Sequence, residues 1–162
     1  MTTKQYNESV DAHSDGLFRF AVKSLRDEEL ARDLVQEAYL KLWTKLDTVD
    51  AQKVKSYLFT AVYHSIVDYS RKAERHRNFE AQQTSSYDEL NTSFDLQEHL
   101  HEALQRLPDV QKTVVMLRDY EGYSYEEIGE ITNLSEQQVK VYIFRARKSL
   151  KEYIVNIENL VG

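Results

Sequence analysis

Apolar residues in this chain recur three and four positions apart almost throughout, and no stretch alternates with period two for long enough to suggest a sheet. The pattern predicts an all-α protein. Leu17, Phe18, Ala21, Val22 and Leu25 share one face of a helix over about 9–25. Leu30, Leu34, Val35, Ala38, Leu42 and Leu46 mark a second, over about 28–46, with Asp27 or Glu28 where an acidic residue favours a helix start. A third, longer helix over about 52–77 carries Val54, Leu58, Ala61, Val62, Ile66 and Tyr69 inward. It ends in a basic segment with Arg71, Lys72, Arg75 and Arg77.

The pattern then breaks. Residues 79–94, FEAQQTSSYDELNTSF, are polar, acidic and poor in aliphatics, which reads as a flexible linker. Helical spacing resumes over 96–106, stops at Leu107-Pro108, and returns over 110–120, closed by Glu121-Gly122. The expected organisation is two small helical domains, 1–78 and 95–162, joined by that acidic linker.

Residues 125–150 read as helix, tight turn, helix. Ser124 with Glu127, and Ser135 with Gln138, each have the spacing of a capping box. Asn133 falls in the turn and tolerates a left-handed backbone, Leu134 plugs it, and Gly129 is small where two helices cross closely. Val139, Tyr142, Ile143, Ala146 and Leu150 form an inner face of the second helix. Gln137, Lys140, Val141, Phe144, Arg145 and Lys148 are left on the outer one. A helix held out from a body with an apolar residue beside arginine is suited to the major groove of DNA. There arginine and lysine meet guanine edges or phosphates, and apolar side chains meet thymine methyls.

Composition narrows the picture. The 162 residues include no cysteine, so there is no disulfide framework and no thiolate metal site. No apolar run approaches the ~20 residues that span a bilayer, and the first residues lack a secretory pattern, so a cytoplasmic protein without membrane insertion is expected. The 21 basic and 27 acidic residues give a net charge of −6, against a chain that holds DNA by a general basic field. The charge is uneven, however. Lys140, Arg145, Arg147, Lys148 and Lys151 outnumber Glu136 and Glu152 near the end, while Asp88, Glu89, Asp95, Glu98 and Glu102 crowd the middle. Local basic faces on an acidic body suggest DNA contact assisted by a larger partner. No catalytic constellation is visible. His99 and His101 stand two apart, on different helix faces, and the second histidine of a zinc-protease motif is missing, so neither metal nor other cofactor is expected.

Three blocks resemble the extracytoplasmic-function (ECF) group of bacterial RNA polymerase sigma factors. They are Asp33 to Trp43 (DLVQEAYLKLW), Tyr57 to Lys72 (YLFTAVYHSIVDYSRK), and Leu107 to Leu150 with YSYEEIG and FRAR inside it. The resemblance implies that the first block docks on the beta-prime clamp helices of core RNA polymerase through Asp33, Gln36, Glu37 and Leu40. It implies that the second block opens the minus-ten promoter element and holds the non-template strand. Tyr57, Phe59, Tyr63, His64, Asp68, Arg71 and Lys72 stand at the matching positions; unpaired bases stack on rings, and basic groups hold phosphates. The reading helix of the third block enters the minus-thirty-five element, and its domain meets the polymerase beta flap. The acidic linker threads toward the active-site and RNA-exit channels, and an anti-sigma factor can cover the polymerase-binding faces. Three departures bear on specificity: Tyr57 stands where tryptophan is usual, His64 where asparagine is usual, and Val141 where a small polar residue is common.

Two other readings fit parts of the sequence. A free-standing helix-turn-helix regulator would use the last third alone and bind duplex DNA without polymerase. A nucleic-acid enzyme such as a resolvase would need carboxylates or a serine nucleophile in the first half. There Asp33 and Glu37 share a stripe without basic or metal-binding company.

Overall fold

The computed structural model describes residues 1–80 and 96–161, with side chains described for 1–76 and 96–159. The front half holds α1 (Thr3–Leu25), α2 (Glu28–Thr44), a single 3-10 turn (Ala51–Lys53) and α3 (Val54–Glu80). The rear half holds α4 (Leu96–Arg106), α5 (Asp109–Asp119), α6 (Tyr125–Thr132) and α7 (Glu136–Val161). No strand occurs among the described residues.

Helix α1 begins earlier than its apolar face does. Thr2 accepts from the Gln5 amide, and the Gln5 side chain accepts from the Thr2 amide. This reciprocal cap sets the start in a polar stretch that hydrophobic spacing cannot mark. Arg26, in the left-handed region at φ 55°, ends α1, and Asp27 caps α2 by accepting from the Leu30 amide. Helix α2 stops at Thr44, short of Leu46. Helix α3 runs to Glu80, so Phe79 and Glu80 extend the helix; residues 81–94 of the expected linker lie outside the described residues.

Leu17, Phe20, Leu34, Ala38, Leu42, Leu58, Phe59, Val62 and Ile66 close the front core. Leu104, Val114, Met116, Leu117, Ile128, Ile131, Val139, Ile143 and Ala146 close the rear one. The two cores join. Phe59 of α3 packs on Phe20 at 5.8 Å and on Tyr123 of the rear half at 5.1 Å, ring centre to ring centre. Helix α3 lies directly against α6, and α1 against α5. The halves therefore close on one another, an arrangement that periodicity within each half does not reveal.

Candidate nucleic-acid interface

The helix-turn-helix is built as its residues require. Ser124 accepts from the Glu127 amide at 3.1 Å while Glu127 accepts from the Ser124 amide. Ser135 and Gln138 repeat the exchange at the start of α7, at 3.0 and 3.1 Å. Asn133 takes the left-handed turn at φ 58°, where asparagine is better tolerated than bulkier residues. Gly129 is needed for a reason more local than helix crossing. A Cβ there would stand 2.6 Å from the carbonyl oxygen of Leu134, so the turn backbone itself occupies the space.

Helix α7 divides into the two expected faces. Val139, Ile143 and Ala146 are buried, and Gln137, Lys140, Val141, Phe144, Arg145 and Lys148 face solvent. Phe144 is 69% exposed, an unusually bare ring for a residue beside arginine. Glu136, Gln137, Lys140, Val141 and Phe144 line a shallow concavity. The Lys140 ammonium lies 5.4 Å from the centre of the Tyr125 ring, which Arg118 also approaches at 4.4 Å. Arg147, by contrast, is held by Asp119: its Nε donates at 3.1 Å and its Nη2 makes a second bond.

On α3 the expected strand-holding residues separate. Tyr57, His64, Asp68 and Arg71 fall within about 60° of one another around the helix, with Lys72 beside them. His64, Asp68, Arg71 and Lys72 are exposed and Tyr57 is half-buried. Phe59 is on the opposite side, 0% exposed in the joined core, so in this arrangement it cannot stack on a base. Tyr63 is half-buried and turned toward the rear half; burial and the nearby Asp109 carboxylate raise its pKa. Its ring still lies 5.6 Å from that of His64.

On α2, Asp33, Gln36, Glu37 and Leu40 form one exposed stripe, with Leu40 66% exposed. Glu37 pairs with Lys41 one turn on, at 3.3 Å. Trp43 continues the stripe three residues beyond Leu40. It is half-exposed and its ring stands edge-on to Tyr6 at 5.1 Å. The same three-four spacing was visible in the sequence, but tryptophan there reads equally well as core.

Polar contacts missed by sequence reasoning cross between the halves. Arg19 grips Glu121 with two bonds, at 2.8 and 2.6 Å, and the Glu121 side chain is 3% exposed. Lys55 pairs with Glu127 at 2.5 Å and lies over the Tyr123 ring at 4.0 Å. Tyr123 is half-buried, and that burial, with the Glu121 and Glu127 carboxylates nearby, pushes its hydroxyl pKa up to about 12. Ser56 meets Glu130, and Thr60 donates to the carbonyl of Ile131. No pattern within one helix could have flagged pairs separated by 71 to 102 positions.

Comparison with known proteins accounts for both halves. Residues 10–76 match the family model for sigma-70 region 2, and residues 97–150 match that for sigma-70 region 4. The chain belongs to the sigma-70 family of RNA polymerase sigma factors. Its relatives place it in the ECF group. RNA polymerase sigma factor SigV of Bacillus subtilis is 29% identical over 143 residues, 88% of this chain and 86% of the relative. The ECF sigma factor SigM of the same organism is 28% identical over 156 residues, 90% of this chain and 92% of the relative. Among solved structures, RpoE of Bartonella quintana, in complex with the anti-sigma factor NepR, aligns with a TM-score of 0.74 at 25% identity. That alignment covers 94% of this chain and 98% of RpoE. CnrH, in complex with the cytosolic domain of CnrY, has the same fold at a TM-score of 0.73 and 21% identity. As a sigma factor the chain is a promoter-specificity partner of core RNA polymerase, which contributes DNA recognition to initiation. No described helix is long and apolar enough to cross a membrane.

Proposed function

We propose that this sigma factor divides its work between its halves, with 1–78 as domain 2, 79–94 as linker and 95–162 as domain 4. The stripe of Asp33, Gln36, Glu37 and Leu40, extended by Trp43, docks on the beta-prime clamp helices. Two large apolar groups standing in solvent beside carboxylates suit an apolar anchor with a charged rim. Tyr57, His64, Asp68, Arg71 and Lys72 form the surface that holds the separated non-template strand of the minus-ten element. Tyr63 joins that surface and Phe59 supports it from within. His64 can both donate and accept, so it changes the base preferred at the position where the family resemblance implies asparagine.

The outer face of α7 reads the minus-thirty-five element. Lys140 and Arg145 meet guanine edges or phosphates, Val141 and Phe144 meet thymine methyls and sugars, and Gln137 and Lys148 flank them. Domain 4 also rests on the beta flap. The protein performs no catalysis itself, uses no metal or cofactor, and acts in the cytoplasm where polymerase works. An anti-sigma factor is a further partner, consistent with the complexes in which RpoE and CnrH were solved.

The observation that carries this reading is the bare Phe144 next to Arg145 on the outer face of a twice-capped helix-turn-helix. Its test is transcription-start mapping with purified core polymerase, comparing the natural chain with a Phe144→Ala, Arg145→Ala pair. The pair is expected to bind core enzyme normally and to lose start-site selection. Duplex promoter binding by the chain without polymerase, equal to that with it, would instead favour a free-standing regulator.

A further inference from the structure

We propose that Tyr6 is a positioning residue for polymerase docking: from the start of α1 it fixes the ring of Trp43 at the end of the α2 stripe. This rests on the docking role given to that stripe above. The match to sigma-70 region 2 begins at residue 10, so Tyr6 stands in front of it.

Trp43 is the last residue but one of α2 and is half-exposed. It belongs to two rows of that helix, because residues three and four apart are neighbours on a helix surface. One row joins it to the bare Leu40. The other joins it to Tyr39, which is buried and whose hydroxyl donates to the Ser9 carbonyl of α1 at 3.2 Å. Tyr6 covers this second row. Its ring meets Trp43 at 5.1 Å and Tyr39 at 6.1 Å, centre to centre, with planes 69° and 81° apart. Rings favour such edge-to-face meetings because the edge carries partial positive charge and the face partial negative.

The Tyr6 hydroxyl donates to the Tyr39 carbonyl at 3.3 Å. In an α-helix that carbonyl also accepts from the amide four residues on, which here is that of Trp43. The hydroxyl therefore bonds the same turn of α2 that carries the tryptophan. Tyr6 is itself held on its own helix. Its amide donates to the Thr2 carbonyl at 2.9 Å, above the Thr2–Gln5 cap, and the Ser9 hydroxyl donates to its carbonyl at 2.6 Å.

Fixing the ring matters because of where it stands. A large side chain at the exposed end of a helix samples several rotamers in water and gives up that freedom on docking. A ring already held in one orientation gives up less, and aromatic anchors are where binding energy concentrates. Holding one such side chain in advance is worth roughly three- to tenfold in affinity.

Trp43 is the only tryptophan in the chain, so its fluorescence, excited clear of tyrosine, reports that ring alone. Core-polymerase affinity is measured on the full chain by competition against dye-labelled natural protein. Tyr6→Leu is expected to quicken the anisotropy decay of Trp43 in the free chain and to weaken core binding roughly three- to tenfold. Tyr6→Phe keeps the ring contact and should restore both to within about twofold of the natural chain. In a Trp43→Ala chain, Tyr6→Leu should leave core affinity unchanged, because no ring remains to be held. Melting by circular dichroism on the same samples reads the packing share of Tyr6, which shifts in both backgrounds. Thr2→Ala, which loosens the cap beneath Tyr6, gives the same test should Tyr6→Leu fail to fold: it should move ring decay and affinity in the same direction, and a shift in neither counts against the proposal. Core affinity unmoved by Tyr6→Leu, while Trp43→Ala weakens it, overturns the positioning role. So does an affinity loss of equal size in both backgrounds, which would leave Tyr6 as a staple of α1 on α2. Should neither Trp43→Ala nor Leu40→Ala weaken core binding, the docking reading of the stripe falls and the positioning role falls with it.

Discussion

Gly129 and Leu134 meet where α6 gives way to the turn: the Leu134 carbonyl oxygen stands 2.6 Å from where a Cβ on Gly129 would be. The Leu134 amide also donates to the Gly129 carbonyl at 3.0 Å, which holds the turn backbone close against the glycine. The obstacle is main chain, which cannot rotate aside as a side chain would. Gly129→Ala should therefore destabilise the fold by about 1–3 kcal/mol despite the better helix propensity of alanine. Thermal unfolding followed by circular dichroism reads this, and a melting temperature equal to or above that of the natural chain would refute it.

Asn133 makes the complementary case, because its left-handed φ of 58° limits conformation while leaving the side chain exposed. Asn133→Gly is expected to be close to neutral, and Asn133→Val to cost about 1–2 kcal/mol. Urea unfolding of the two variants checks the order. Equal midpoints would show that the turn yields without strain.

The Lys55–Glu127 pair sets a pH dependence. The hydrogen bond from Lys55 is the largest cause that lowers the Glu127 pKa, joined by the Ser124 cap. A carboxyl whose folded pKa lies below its unfolded value adds stability above the unfolded pKa and loses it as pH falls through the folded one. Stability should thus decline on acidification below the usual carboxylate range, and Glu127→Gln should flatten that decline. Unfolding midpoints measured from pH 6 downward, about the ordinary glutamate pKa of ~4.3 and below, test it. Parallel curves for the two proteins would exclude a contribution from this pair.

The stripe on α2 predicts a separation of functions. Leu40→Ala and Glu37→Lys alter exposed side chains, so melting should shift by no more than about 0.5 kcal/mol in equivalent stability. Core-polymerase affinity should fall, by roughly tenfold for loss of an apolar anchor. Fluorescence titration against core enzyme decides it. Unchanged affinity in both variants would remove this stripe from the polymerase contact.

Both halves' helices, both capping boxes, the left-handed Asn133 and the outer face of α7 were legible in the sequence. Each depends on neighbours three or four positions away, and local spacing records such neighbours directly. For the same reason the apolar spacing places the start of α1 too late, since that start rests on a Thr2–Gln5 exchange in a polar stretch. Phe59 shows where that legibility ends. Its type and position suit a stacking ring, yet Phe20 and Tyr123 enclose it. Lys112 is a second case: a lysine amid polar neighbours reads as surface, but the end of α1 takes it inside. The sequence by itself determined which segments coil and which side each turns outward, because helix periodicity is a short-range property. Only the tertiary structure decided that the halves close through Arg19, Glu121, Lys55, Glu127 and Lys112, because that pairing depends on two surfaces distant in the chain having matching shape and opposite charge.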